Sequence, residues 1–377
     1  MRKPLNKLLI VLASLCFIPA IGDAQVFTNK EVGKKNLELA DSLKHSEYPY
    51  SLPIWGAKAT KAGYNLPYSA GVSVNYLGQE SDLIIENLQV GFNNGPLYNL
   101  DEFLKFDKAV SRASALTFRP DVWVFPFLNV YAIIGKSVAS TNVGFGLYLP
   151  DSTDTPKKVA GAESKVDFNA TTAGFGITPT IGIGGGFLAL DMSCTWTDVP
   201  QLKKPAFAFV FGPRLGKNIK LKHPGETIAL WVGGFRLKLN SGTDGSVNLG
   251  EVLPINELNQ KVDDAMLKVD NSQQQVDAWW NNLSSTEQKN PVNVAKYNSA
   301  NSILERAGQF LNSAEQAVNN ASTSTVQYKM DKRPKDMWNF LIGSQYQLDK
   351  HWMVRGEVGF LTSRTQVLVG IQYRFGL

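Results

Sequence analysis

Apolar and polar residues alternate along most of the chain, and the alternation is clearest from Trp338 to Phe375. Two short polar breaks, LDKH and TSRT, divide this region into three runs. Because successive side chains of a strand point to opposite faces, the pattern predicts three strands with one apolar face, joined by tight turns. Strands of about ten residues with aromatic ends have the length needed to cross a bilayer when tilted in a closed barrel.

The same alternation predicts nine earlier strands. They are expected at residues 68–77, 82–92, 114–125, 127–135, 140–150, 165–178, 181–196, 205–213 and 226–240. Together with the three C-terminal strands they give about twelve, an even number, as single-chain bacterial barrels have. The predicted fold is therefore all-β, a transmembrane antiparallel up-and-down β-barrel of about 12 strands.

Residues 250 to 322 have a different period. Their apolar residues recur at intervals of three, four and seven, which predicts a pair of amphipathic helices. Asn290 and Pro291 have the residue types of an N-cap and a first helical position, so the second helix is expected to begin there. Counting strands back from a periplasmic C-terminus places this two-helix hairpin insertion on the extracellular side. Three roles stay open: a plug in the lumen, a projection that contacts a partner, or a pair lying on the membrane surface.

The start of the chain has the pattern of a secretory signal peptide. Arg2, Lys3 and Lys7 precede an apolar stretch, and the small residue Ala24 offers a cleavage site. We expect residues 1–24 to be a signal peptide, 25–67 a periplasmic leader or a plug segment, 68–249 and 323–377 barrel strands, and 250–322 the helical hairpin. Removal of the signal lowers the net charge from +5 by +2 to about +3. It also leaves Cys194 as the single cysteine, which excludes an intramolecular disulfide.

Composition narrows the location and the class of partner. Outside the signal the chain has no run of about 18 apolar residues, so an exported, strand-rich protein is expected in the periplasm, the outer membrane or the medium. The small basic excess says nothing about nucleic acid, and the sequence has no known nucleic-acid motif, so no nucleic-acid partner is expected.

The last strand carries a family resemblance. Gly370, Tyr373 and Phe375 stand in the order glycine, two residues, aromatic, one residue, aromatic. This order resembles the terminal strand signal of Gram-negative outer-membrane β-barrel proteins. The resemblance implies a location in outer-membrane lipid and an encounter with the outer-membrane assembly machinery, for which these three residues would be the barrel-assembly signal.

Eight charged residues are predicted to line the lumen, because an ionised group facing lipid costs about 2 to 4 kcal/mol near the midplane for Arg or Lys. They are Arg119, Asp121, Asp191, Arg236, Lys238, Arg355, Glu357 and Arg374. In one interpretation these residues line a pore that prefers anionic or polar solutes. In the other they pair across a narrow barrel and fill it without conduction.

The predicted function is a monomeric porin-like channel for small polar or anionic solutes. The alternative is a closed structural barrel whose helical hairpin mediates adhesion or binds a protein partner. The third-ranked function is an outer-membrane lipid hydrolase. It ranks last because Ser344 and His351 are separated in sequence and form no adjacent His-Ser signature on a strand. We therefore expect no enzyme activity and no cofactor. We also expect no tightly bound metal, because His45, His223 and His351 lack partners at metal-ligand spacing.

Overall fold

The computed structural model describes residues 37 to 377, except 152–155, 184–185, 201, 222, 224, 240–241, 250–254 and 321–322. The predicted signal peptide lies outside the described residues. Helices α1 (Leu37–His45) and α2 (Gly56–Lys61) precede the sheet, and helices α3 (Ile255–Asn281) and α4 (Pro291–Asn319) interrupt it. None of the helices described is long and apolar enough to cross a membrane.

The described residues form thirteen strands in one antiparallel sheet. They are β1 (Ala70–Phe92), β2 (Tyr98–Asn99), β3 (Leu104–Phe125), β4 (Leu128–Leu149), β5 (Lys157–Ile183), β6 (Gly186–Asp198), β7 (Ala206–Lys220), β8 (Thr227–Leu239), β9 (Gly242–Asn248), β10 (Thr325–Pro334), β11 (Trp338–Gln347), β12 (Trp352–Leu361) and β13 (Arg364–Phe375).

Ten of these strands close into a barrel. The order around the ring is β1, β3, β4, β5, β6, β7, β8, β11, β12 and β13, and β13 returns to β1 along a register from Ala70↔Phe375 to Ser81↔Arg364. Strands β2, β9 and β10 lie outside the ring and extend β1 beyond it. The predicted closed antiparallel barrel with a helical insertion is confirmed, but its ring has ten described strands instead of about twelve.

The difference in count has a physical cause. The single 23-residue strand β1 contains most of the two strands predicted at residues 68–77 and 82–92. In the same way, the 22-residue strand β4 contains most of those predicted at 127–135 and 140–150. Strand β5, with 27 residues, also runs past the turn predicted at Thr178 and Pro179. In β1 and β4 the apolar alternation stops where the outer face becomes polar, although strand pairing continues. The hairpin consequently follows the seventh ring strand, not the ninth.

The outer surface of the ring is an apolar band. Its exposed side chains include Val74, Leu116, Val138, Phe175, Leu215, Val232, Phe340, Val358 and Val369. Further along β1 and β3 the outward residues Glu80 and Arg112 form an exposed ion pair, with 2.9 Å between Arg112 Nε and Glu80 Oε2. The band therefore ends near this pair, and the far halves of β1, β3, β4 and β5 form a polar wall above it.

Helices α3 and α4 pack on the inner face of this wall. Along β4, Asn129 and Tyr131 face the lumen, and the same alternation brings Leu147 and Leu149 inward at the far end of the strand. There Leu149 is 1% exposed and lies in a core with α3 and α4. The N-cap at Asn290 has its predicted form, since the Asn290 side chain accepts a hydrogen bond from Val292 N at 3.0 Å. The hairpin thus lies on the inner face of the wall, at the end of the barrel opposite to the C-terminus.

Residues 46 to 69 pack at the other end. Leu52 N donates to Leu377 O at 3.2 Å, and Ile54 N donates to Val124 O at 2.8 Å. The Tyr50 ring lies beside Gly376, in the space that a Cβ at this glycine would occupy. The described part of the predicted leader or plug segment thus contacts the end of the barrel that holds the C-terminus.

Candidate functional site in the barrel lumen

Charged side chains lie inside the ring because of strand alternation. Asp121 on β3, Asp191 on β6, Arg214 on β7 and Glu357 on β12 share the inner face, and each has a relative exposure or side-chain exposure of 15% or less. A buried ion is tolerated only when paired and hydrogen-bonded, so these groups are expected to form networks. They do so in two clusters.

Arg214 is the centre of the first cluster. Its guanidinium binds the Glu357 carboxylate in a two-point arrangement, with 3.1 Å for Nε to Oε1 and 3.1 Å for Nη2 to Oε2. Its Nη1 lies 3.3 Å from Asp191 Oδ2. Arg355 also contacts Glu357. The cluster therefore joins β6 and β7 to β12, which is not their neighbour in the ring, through side chains inside the lumen.

Arg374 forms the second cluster, nearer the C-terminal end of the barrel. Its Nη2 lies 3.0 Å from Asp121 Oδ2, and its Nε donates to the carbonyl oxygen of Tyr68 at 3.0 Å. Asn129 Nδ2 donates to the same Asp121 oxygen at 2.7 Å, and Gln372 donates to the other one. Both carboxylate oxygens of Asp121 therefore accept hydrogen bonds.

Arg119 differs from the other lumenal arginines. Its guanidinium carbon lies 3.5 Å from the centroid of the Tyr131 ring, a cation–π arrangement. Tyr131 is itself fixed by Asp191, to which its hydroxyl donates at 2.6 Å. Among the described residues, no carboxylate forms an ion pair with Arg119. The Nε of Arg355 likewise has no hydrogen-bond acceptor in the described protein.

These groups surround one cavity of about 240 Å³ inside the ring, lined by Arg119, Asp121, Asp191, Arg214, Arg355 and Arg374, among others. Four arginines and the three carboxylates of Asp121, Asp191 and Glu357 leave one positive charge in excess. The cavity is thus polar, weakly cationic and surrounded by an apolar outer band.

Two glycines let large side chains lie flat against the lumen wall. A Cβ at Gly343 would meet the Trp231 indole at 2.3 Å, and a Cβ at Gly176 would meet the Tyr131 ring at 2.4 Å. Glycine in a strand allows such a close approach. Both aromatic rings can therefore take these positions only because Gly343 and Gly176 have no side chain.

Two of the predicted lumenal residues are corrected by the register. Arg236 pairs with Phe211 and Trp338, and Trp338 lies on the outer, exposed face. Lys238 has the same parity and is exposed. Both side chains therefore belong to the outer face near the edge of the apolar band. The other six predicted residues lie on the inner face.

Arg214 and Tyr131 were missed by the sequence reasoning. The strand predicted at residues 205–213 stops one residue before Arg214, whereas β7 continues to Lys220. The apolar residues Phe211 and Leu215, at odd positions around Arg214, are the signal that would have assigned Arg214 to the inner face.

The residues of the terminal-strand signal separate onto two faces. Gly370 faces the lumen opposite Asn75, whose Oδ1 would lie 2.1 Å from an added Cβ. Tyr373 and Phe375 face outward and pack together with a centroid distance of 6.5 Å. The centroids of the Trp352 and Tyr373 rings lie 4.9 Å apart. An aromatic cluster of this kind is typical of the interfacial end of a barrel strand.

The predicted Ser and His do not meet in the described structure. His351 Nδ1 lies 2.8 Å from the carbonyl oxygen of Arg374, and its ring stacks on Tyr373. Ser344 is exposed and pairs with Leu230 and Gly356 on strands β8 and β12. No hydrogen bond joins the two residues among those described.

The closed ring of paired strands identifies the type of fold. A closed barrel pairs all the strand edges in its ring, so it can cross hydrocarbon without unpaired backbone groups. The chain has the fold of an outer-membrane β-barrel. The resemblance predicted from the terminal strand is thereby confirmed at the level of the fold.

Comparisons with known proteins add little to this result. No family model and no curated protein sequence matches the chain. Among solved structures, the β domain of the Bordetella autotransporter BrkA is similar, with 10% identity, a TM-score of 0.34, and coverage of 81% of this chain and 100% of that one. The translocator domain of NalP from Neisseria meningitidis is 8% identical, with a TM-score of 0.30, and 90% of this chain and 94% of that chain are covered. An outer-membrane channel from Pseudomonas putida F1 is 8% identical, with a TM-score of 0.27, and 82% of this chain and 96% of that chain are covered. Likenesses this distant support no statement about function.

Proposed function

We propose that this chain is an integral outer-membrane β-barrel that passes small anionic or polar solutes through a narrow lumen. The observation that carries the proposal is the weakly cationic cavity inside a ring with an apolar outer band. Charged side chains lining a pore favour solutes of opposite charge. Among the described residues, no carboxylate pairs with the Arg119 guanidinium.

The size of the cavity limits the solute. Drug-sized ligands occupy pockets of about 300 to 1,000 Å³, so 240 Å³ suits a smaller molecule or ion. Passage through this level also requires the Arg214–Glu357 pair to move, because that pair crosses the lumen. The proposed channel is therefore selective and narrow.

A second candidate is a closed structural barrel whose hairpin binds a partner. The same Arg214 cluster favours it, since a fully paired network can fill the lumen permanently. The hairpin also presents exposed apolar side chains, Leu267 at 60% and Val292 at 72%. In this case no solute would cross the barrel.

Single-channel conductance of the refolded mature protein in a planar bilayer distinguishes the two. For a channel we expect steady current with a reversal potential that favours anions. Arg119→Gln should reduce this selectivity, since it removes the excess positive charge. Arg236→Gln is the matched control, because Arg236 faces outward, and it should leave the selectivity unchanged.

Two further outcomes are informative. Current that appears only when residues 255 to 319 are replaced by a short turn would make the hairpin a plug. Silence from every variant that still shows the heat-modifiable gel mobility of a folded barrel would refute the channel and leave the structural barrel.

For assembly, we infer that Gly370, Tyr373 and Phe375 are read by the outer-membrane assembly machinery. Phe375→Ala should lower the amount of folded barrel in the outer membrane, whereas refolding of the purified variant into detergent should be little changed. Equal losses in both measurements would refute the role in recognition.

A further inference from the structure

Strands β1 and β3 separate above the apolar band. They pair from Ala70↔Val122 to Asp82↔Val110. Beyond this point β1 pairs with β10, starting at Leu83↔Pro334, while β3 remains paired with β4 on its other edge. From Leu83 to Asn87, the edge of β1 that faces β3 therefore has no strand partner among the described residues.

The gap closes again further along. Leu100 N donates to Leu88 O at 2.9 Å, and Leu88 N donates to Asp101 Oδ1 at 3.0 Å. The segment that leads into β3 thus crosses back to β1 and completes a frame. Five residues of strand correspond to about 17 Å, which sets the length of the opening.

The opening goes through the wall. A cavity of about 700 Å³ occupies it, and its lining includes residues from both faces of the sheet. Leu104 and Phe106 belong to the inner face, where they pack against the hairpin core. Asp107 belongs to the outer face, where its carboxylate accepts from Tyr148 Oη at 3.0 Å. The cavity therefore adjoins both the outer surface of the wall and the inner face on which the hairpin packs.

The rim of the opening has a small excess of positive charge when its ion-pair partners are counted. Asp107 is paired with Lys158, and Glu86 is paired with Arg333 at 3.4 Å. Three lysines on the rim have no ion pair in the described part of the chain: Lys105, Lys108 and Lys335. Two carboxylates, Asp82 and Asp101, likewise form no ion pair there, which leaves one net positive charge. This sign matches that of the lumenal cavity.

We propose that this side opening, and not the axial mouth, is the entrance by which small anions such as carboxylates or phosphate reach the lumen. The inference rests on the proposed channel function. The hairpin packs on the inner face of the wall at the axial mouth, whereas the opening lies above the apolar band and faces water. Its charge attracts anions towards the cavity that holds Arg119.

The test uses the full chain in a Cys194→Ser background. Ile85→Cys places a thiol on β1 at the opening, and Val292→Cys is the control on the exposed start of α4. A bulky, water-soluble methanethiosulfonate reagent is added to proteoliposomes, and phosphate flux is measured before labelling, after labelling and after removal of the label by a reductant. We expect labelling at Ile85→Cys to reduce the flux at least fivefold and the reductant to restore it, with no change for Val292→Cys.

The labelling rate provides a readout that does not depend on flux. We expect the Ile85→Cys thiol to react within about tenfold of the Val292→Cys rate. A rate slower by a hundredfold, or an unchanged flux after complete labelling, would refute the side opening as the entrance without refuting the channel function. Absence of phosphate flux in the unlabelled protein, with rapid labelling at Ile85→Cys, would instead overturn the channel function on which the entrance rests.

Discussion

Two Arg–Glu pairs with nearly the same geometry allow a sharp prediction about burial. Arg214 and Glu357 lie 3.1 Å apart in both contacts, and Arg112 and Glu80 lie 2.9 and 3.1 Å apart. The side chains of the first pair are 10% and 2% exposed, and those of the second are 67% and 48% exposed. Removing one partner of a buried pair costs about 3 to 5 kcal/mol, because the other charge stays buried. An exposed pair contributes at most about 1 kcal/mol.

We therefore expect Glu357→Gln to lower the free energy of unfolding by about 3 to 5 kcal/mol, and Glu80→Gln by less than about 1 kcal/mol. Glutamine keeps the shape of glutamate, so the difference reports the charge and not the packing. The assay is urea unfolding of the refolded protein in lipid vesicles, followed by tryptophan fluorescence. Equal losses for the two variants would refute the reasoning, because they would mean that the lumenal pair is as well solvated as the surface pair.

Three other perturbations have defined outcomes in the same assay. Gly343→Ala should cost about 1 to 3 kcal/mol because its Cβ would meet the Trp231 indole, whereas Gly356→Ala, with no atom within 4 Å of its Cβ, should be nearly neutral. Two backbone N–H donors of the β11–β12 turn lower the pKa of Asp349, so its stabilisation is present above its unfolded pKa of about 3.9 and is lost as pH falls through the folded value. The stability difference between the native protein and Asp349→Ala should accordingly be seen at pH 7 and shrink below about pH 4. Leu304→Ala, in the 2% exposed hairpin core, should cost about 2 to 5 kcal/mol, with faster hydrogen exchange in the hairpin.

The sequence was sufficient to predict the strands and the helical hairpin, but not the number of ring strands. Alternation reports where a side chain faces lipid, and in β1 that signal stops near Gly78 and Glu80. The backbone pairing of β1 continues to Phe92, because β10 supplies new partners beyond Ser81. Those partners are more than 200 residues away in sequence, so no local pattern could reveal them.

Alternation predicts which charged residues face the lumen, but it does not predict which of them pair with each other. Alternation assigns Asp121 and Glu357 to the inner face, but their partners depend on how the ring closes. The prediction for Arg236 rested on the cost of a charge facing lipid, which applies near the bilayer midplane and falls to about 0 to 1 kcal/mol near the interfaces. Arg236 lies beside Trp338 at the edge of the apolar band, where an outward arginine is tolerated. Arg236 shares a strand face with the exposed residues Leu230 and Val232, and this alternation predicts its outward position better than the cost of the charge does.

The hairpin and the tall wall are best understood as one unit. Above the apolar band the inner face of β4 presents Leu147 and Leu149, which would contact water if α3 and α4 were absent. Burying an apolar side chain of this size is worth about 1.5 to 3 kcal/mol, so each helix face and the wall stabilise the other. A hairpin held in this way is attached to the wall along its apolar face, and its outward side chains remain exposed.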